Sequence, residues 1–216
     1  MLERMAAFFE RRMDIYDKHM LEHIEGATEF YPFTAAQLPM EKNAEVLDLG
    51  CGTGLELEYY LKDHPTARVT GIDLSAGMLE TLKNKFTGYH LTLRQGSYFD
   101  LPLGEKTFDA AVSVESLHHF TKEKKRALYQ RLHAALRQDG YFILTDYFAS
   151  SDAEERELRR QLATLKEEQG ITDREFYHYD TPLTVAHEIE ALLEAGFLRV
   201  EVLGHWGATY TLKAYG

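Results

Sequence analysis

Residues 45–55, EVLDLGCGTGL, set glycines at 50, 52 and 54 directly behind a short apolar run that carries one acid, Asp48. Glycine lets a backbone turn sharply and lets a ligand come close to the main chain. Three alternating glycines lose conformational entropy on folding and pack no side chain in return, so the stretch predicts a ligand-holding β–α turn. The dinucleotide fingerprint is G-x-G-x-x-G. Counted from Gly50, its third glycine would fall at Leu55, whereas the spacing here is G-x-G-x-G with Asp48 two residues ahead. A pyrophosphate is best held by glycine amides and a helix N-terminus. An acid ahead of the loop suits a ligand of net positive charge.

Three further stretches carry chemistry. GIDLSAGML puts Asp73 nineteen residues after Gly54, where a carboxylate can accept hydrogen bonds from both hydroxyls of a ribose. QGSYFDLPL follows a third apolar run, and FDAAVSVESLHHF contains a fourth. Residues just beyond the carboxyl end of a strand face the ligand crevice of an open α/β sheet, which singles out Val114 and Glu115. His118 and His119 follow. Adjacent histidines at a helix start point in different directions and lack the spacing of three or four that shares a helix face, so no metal is expected between them. His119 is the candidate general base.

Together these stretches resemble the class I S-adenosylmethionine (SAM)-dependent methyltransferases over residues 44–147. LDLGCGTG matches that family's first motif, a strand ending D/E-x-G-x-G-x-G, over its full length. The resemblance implies SAM as cofactor and S-adenosylhomocysteine as product. SAM carries a sulfonium, an ammonium and one carboxylate but no phosphate, which agrees with Asp48 ahead of the loop. The implied contacts are Asp48, Gly50, Cys51, Gly52 and Gly54 at the loop, Asp73 and Leu74 at the ribose, and Met78 near the adenine. Val114 and Glu115 would lie beside the methionine portion, and Tyr16 would line the site. The family's third motif is G-D-a-x-x-L-P, its acid binding the adenine amino group. Gly96, Leu101 and Pro102 align with it, but Ser97 stands at the acid position, so the Ser97 hydroxyl and the backbone of Tyr98 become the expected adenine contacts.

The elements that must position these residues follow from periodicity. Leu2, Met5, Phe9, Met13, Tyr16, Met20 and Ile24 make one apolar stripe on a helix over residues 1–25, and Tyr31-Pro32-Phe33 predicts an extended break after it. From residue 44, five apolar runs alternate with helical segments, with Ser75 and Thr121 as N-caps. Such alternation predicts βαβ units. Ser151 opens a capping box, Thr181-Pro182 opens a later helix closed by Gly196, and FLRVEVLG and ATYTLKAY form a terminal hairpin. The predicted fold is a doubly wound, mostly parallel seven-stranded α/β sheet of Rossmann-like type, with a C-terminal antiparallel hairpin and a helical cap. It is read as a single domain over 1–216: a helical cap (1–43), a cofactor-binding core (44–150), a lid-like insertion (151–181) and a C-terminal helix and hairpin (182–216).

Composition narrows the partners. The net charge of −11 disfavours proteins that live on phosphate neutralisation, hence bulk nucleic acid and anionic membranes. Neither N-P-P-Y nor D-P-P-Y follows the fourth strand, so the signature that holds a planar amino group in many DNA methyltransferases is missing. A small-molecule acceptor, methylated by in-line displacement, is therefore expected. Two alternatives stay open: a SAM-dependent transferase acting on a tRNA base, including transfer of a group other than methyl, and a SAM-binding protein without turnover. One cysteine and no long apolar run predict a cytoplasmic protein; its oligomeric state stays open. The acceptor pocket is expected between the N-terminal helix, the segment after the fourth strand and the insertion, with Tyr177, His178 and Tyr179 in the lid and Tyr31 and Tyr147 nearby. Tyr177 and His178 join His119 as catalytic candidates.

Overall fold

Val46, Leu47 and Leu49 are all inaccessible to solvent. Consecutive buried residues on a strand require cover on both faces of the sheet, and the computed structural model supplies it. It describes residues 1–172 and 175–216; Asp173 and Arg174, within the expected lid, lie outside the described residues. Strands β1 (Glu45–Leu49), β2 (Arg68–Asp73), β3 (His90–Gln95), β4 (Phe108–Val114), β5 (Leu136–Tyr147), β6 (Arg199–Trp206) and β7 (Thr209–Tyr215) form one sheet in the order β3-β2-β1-β4-β5-β7-β6. The first five run parallel, and β7 is antiparallel to both of its neighbours. This is the seven-stranded α/β fold that the alternation predicts.

Successive strand residues feed opposite faces. Leu47, Leu49, Ala111, Phe142 and Leu144 pack with Leu128, Tyr129 and Leu132 of α6 (Lys122–Ala135) and with Ala191 and Leu192 of α8 (Val185–Glu194). Val46, Val112, Val114 and Ile143 pack with α3 (Ala27–Ala35), α4 (Leu55–Asp63) and α5 (Ala76–Lys85). β1 pairs with β2 on one side and β4 on the other. The winding direction reverses there, so a crevice opens at the carboxyl ends of β1 and β4.

Side-chain caps sit where hydroxyls stand ahead of helices. Ser75 accepts from the Met78 N–H, Thr121 from Lys124, and Ser151 from Glu154 at the start of α7 (Asp152–Glu168). Three local expectations are corrected. The first 25 residues form two helices, α1 (Met5–Glu10) and α2 (Met13–His23), because the chain turns at Arg11 and Arg12; Arg12 leaves helical geometry and donates to Glu3 Oε2 at 3.2 Å. Pro32 lies inside α3, where burial of Phe30, Tyr31, Thr34 and Ala35 overrides the missing N–H. α8 begins after Thr184, whose hydroxyl accepts from the His187 N–H at 3.3 Å, three residues later than Thr181 suggests.

Candidate functional site

The glycine loop folds back over the carboxyl end of β1. Gly50 has φ +75° and a Cβ there would lie 2.0 Å from Ser116 Oγ, so glycine is demanded by both conformation and space. Gly52, at φ +49°, turns an N–H onto Asp73 Oδ2 at 3.0 Å. The other oxygen of Asp73 accepts from the Ser75 N–H at 2.8 Å. Asp73 thus ties the loop to the start of α5, where Met78 is buried, and Leu74 beside it is packed against the core. Cys51 presses its sulfur toward Gly71, within 2.8 Å of where a Cβ would stand, and burial pushes its thiol pKa well up. That makes Cys51 a packing residue with an inert thiol.

Asp48 is buried behind the loop, with the Glu56 carboxyl beside it. Burial, and then the neighbouring Glu56, raise its pKa well above the usual carboxylate range. Glu56 is raised as well, chiefly by burial. A buried carboxyl beside a second acid keeps its proton in place of carrying an unpaired charge, so Asp48 and Glu56 stand as a carboxyl pair behind the loop.

The N-terminal helices close over this loop. Met13 packs onto Gly77, its sulfur 2.2 Å from where a Cβ would lie, and the Tyr16 ring lies against Gly52. Asp17 accepts from Thr53 Oγ1 at 2.5 Å and from Lys85 Nζ at 2.9 Å. Burial and the Asp73 carboxylate push the Tyr16 phenol far above its ordinary pKa. Beneath them a small cavity of about 40 Å³ is bounded by Tyr16, Gly50, Asp73, Met78, Glu115 and Ser116. It adjoins one of about 500 Å³ whose walls include Phe8, Phe9, Arg12, His118, His119 and Asp180. Among the described residues the small cavity has no Lys or Arg in its lining. A lining that holds Asp73 and Glu115 and no Lys or Arg suits a sulfonium and an ammonium better than a pyrophosphate, so the residues fit SAM.

Beyond β4 the chain makes a tight turn. Glu115 sits at φ +48°, a region a non-glycine residue rarely occupies and one that collects at functional sites. Burial raises its carboxyl to about 7, with His118 opposing the rise and Asp146 adding to it. Thr209 donates to its Oε1 at 3.0 Å. His118 Nδ1 is 2.5 Å from Asp146 Oδ1, and its Nε2 is 3.5 Å from Asp180 Oδ1. Burial works against charge on His118, but Asp146 and Asp180 outweigh it and hold its pKa well above the ordinary value. His119 Nδ1 lies 3.1 Å from the same Asp180 oxygen. Burial and the adjacent His118 pull His119 down to about 4. The expectation that the two rings diverge is therefore corrected: they stand in a turn and not on a helix, and both reach one carboxylate.

The remaining candidates fall in varied places. Val114 is buried at the end of β4. Ser97 Oγ accepts from the Phe99 N–H at 3.1 Å, a local turn bond, and the carbonyl of Tyr98 accepts from Arg131 at 3.1 Å. The Tyr98 phenol meets Ser116 at 3.2 Å. His178 stacks on Phe8 with ring centroids 3.5 Å apart and lines the larger cavity. Tyr177 instead lines a separate groove of about 670 Å³ between α6 and α7, and Tyr179 donates to Gln161 at 2.9 Å. Tyr31 is core, while Tyr147 stands edge-on to His118 with centroids 6.1 Å apart. Asp146, Asp180 and Arg12 went unnoticed in the sequence. Asp146 alone left a signal, an acid at the carboxyl end of a buried strand.

Comparisons with known proteins agree with this geometry. Residues 46–140 match the family model described as a methyltransferase domain. The chain is 31% identical over 221 aligned positions to a carboxy-S-adenosyl-L-methionine synthase of Wolinella succinogenes, covering 94% of this chain and 88% of that one. It is 33% identical over 118 positions to a fatty-acid O-methyltransferase of Mycolicibacterium smegmatis, but this covers only 42% of that enzyme and 55% of this chain. The crystal structure of a SAM-dependent methyltransferase from Mesorhizobium loti shares the fold at TM-score 0.61 and 22% identity, over 86% of this chain and 96% of that one. A sheet of this order with an acid-lined glycine cradle defines the SAM-binding methyltransferase class. The chain belongs to the class I SAM-dependent methyltransferases, and SAM is its cofactor.

Proposed function

We propose that the protein transfers a methyl group from SAM to a small-molecule acceptor held in the 500 Å³ cavity. The observation that carries this reading is the junction of the two cavities at Tyr16, Glu115 and His119, which line both. A cofactor anchored by Asp73 and the glycine loop would present its methyl group there to an acceptor arriving from the larger space. Bound SAM supplies an activated methyl group for in-line displacement, so the chain's own task is alignment and exclusion of water. Asp73 orients the ribose. Glu115, which lines both cavities, faces the cationic end. Phe9 and Tyr16 shut out solvent. Where the acceptor must lose a proton, the cluster of His118, His119 and Asp180 faces it.

The cavity walls support an acceptor with apolar surface, given by Phe8, Phe9, Ile15 and Met20. Labelled SAM incubated with a metabolite extract and, separately, with bulk tRNA tests the proposal. Label is expected in the small-molecule fraction. Label in RNA would instead make the protein a tRNA-modifying transferase, and label in neither a binding protein without turnover.

A second reading is favoured by two observations. The similarity to the carboxy-SAM synthase runs along nearly the whole chain, and Arg12 sets a guanidinium in the wall of the cavity next to the cofactor site. A carboxylate carried on the sulfonium side would find its counter-charge there. The mass of the adenosyl product separates the readings: S-adenosylhomocysteine supports methyl transfer, and a carboxylated SAM supports the synthase.

A further inference from the structure

We propose that His118, His119 and Asp180 bind a divalent transition-metal ion at the wall of the acceptor cavity. The proposal rests on the reading of that cavity only for the chemistry the ion would do. One nitrogen from each ring and one carboxylate oxygen lie within 4.8 Å of one another. His119 Nδ1 and His118 Nε2 stand 3.1 and 3.5 Å from the same oxygen, Asp180 Oδ1. A four-coordinate ion with bonds of about 2.0–2.2 Å sets its ligand atoms about 3.3–3.6 Å apart, near these two separations, and His119 Nδ1 would give up its 3.3 Å contact with the Tyr179 carbonyl to bind it. Two imidazoles and one carboxylate suit zinc, cobalt or nickel, and not magnesium or calcium, which take oxygen sets.

The surroundings are built as a metal site needs. The far nitrogen of His118 rests on Asp146, which fixes the ring and leaves Nε2 facing Asp180. Asp146 is fully buried and accepts from the Leu117 and Tyr147 N–H groups at 2.9 and 3.0 Å. Carboxylate, imidazole and metal in series is the usual support of a ligating histidine. The alternative set of Glu115, His118 and Asp146 shares that histidine, but Asp146 is already engaged by these backbone donors. Asp180 is held in place because the Thr181 N–H donates to the His118 carbonyl at 2.9 Å, which ties its segment to the histidine turn. His118, His119 and Asp180 all line the 500 Å³ cavity, so the remaining coordination positions open on it. An acceptor hydroxyl or thiol bound there would lose its proton more readily, as metal-bound water does.

The test uses the untagged full chain, stripped with a chelator and titrated with cobalt(II) and with zinc(II). Expected results are visible d–d bands from a four- or five-coordinate cobalt ion and calorimetric zinc binding at one ion per chain. Asp180→Asn and His119→Ala should each abolish the bands, and Asp146→Asn should weaken affinity about 10–100-fold. Far-UV circular dichroism checks that each variant folds. Asp180→Asn should keep its SAM-induced rise in Tm, and Asp73→Ala should keep metal binding, so the ion and the cofactor reading fail separately. Absence of bands and of binding heat in the wild-type chain would overturn the proposal. So would binding that survives in Asp180→Asn and His119→Ala but is lost in the double variant His19→Gln, His23→Gln, whose rings lie 5.3 Å apart on α2.

Discussion

At the scale of single residues, Asp73 has two jobs that one substitution should reveal together. Its oxygens brace Gly52 and Ser75, and the same carboxylate faces the small cavity. Asp73→Ala is expected to lower the Tm of the free protein and to abolish the rise that SAM gives wild type; thermal melts with and without SAM check both. Asp48 and Glu56 make a different prediction. Both have folded-state pKa values raised above the ordinary carboxylate range. The unfolded chain therefore releases these protons first as pH rises, so their contribution to stability is full below about pH 4 and declines above it, toward the folded values. The fall in Tm between about pH 5 and about pH 8 should be smaller in Glu56→Gln than in wild type. A fall of equal size would remove the pair from the account. Asp73 and the glycines were legible because their types and spacing state their chemistry. Asp180 was not, because its role depends on a loop brought beside the histidine turn across about sixty residues of sequence.

At the scale of elements, α1 and α2 occupy the space over the cofactor loop. A cavity of about 40 Å³ falls far below the roughly 300–1,000 Å³ that ligands of this size use. Entry of SAM should therefore move these helices, and hydrogen exchange in residues 5–23 is expected to change on SAM addition while that of β1 and β4 does not. Unchanged exchange throughout that segment would leave it as a fixed part of the core. Between α6 and α8, Lys125 and Glu188 form an ion pair at 2.5 Å, both nearly inaccessible, with the Tyr129 hydroxyl on the same carboxylate. Glu188→Gln leaves the Lys125 charge uncompensated and should cost about 3–5 kcal/mol in denaturant unfolding. Apolar period and capping hydroxyls made most elements readable. Pro32 misled because its local rule yielded to the burial of its neighbours, and the break at Arg11 and Arg12 hid because the apolar stripe continues across it.

At the scale of the whole molecule, the alternation of strands and helices was enough for the sheet, since parallel crossovers have few allowed arrangements. The same pattern could not say how the two helical layers would crowd the crevice. Among the described residues no helix is long and apolar enough to cross a membrane, and the net charge of −11 bears on partners in solution. If acidic self-repulsion acts on the free protein, its Tm should rise modestly with salt, and the salt series reads this directly. One feature of the sheet reaches beyond the finished molecule. β7 comes last of the strands in the chain yet lies inside the sheet, between β5 and β6. During vectorial synthesis the edge of β5 stays unpaired while α7, α8 and β6 are made, until β7 emerges. Throughout that interval the nascent protein is open to mispairing with its neighbours on a polysome, and β7 closes it by slotting in.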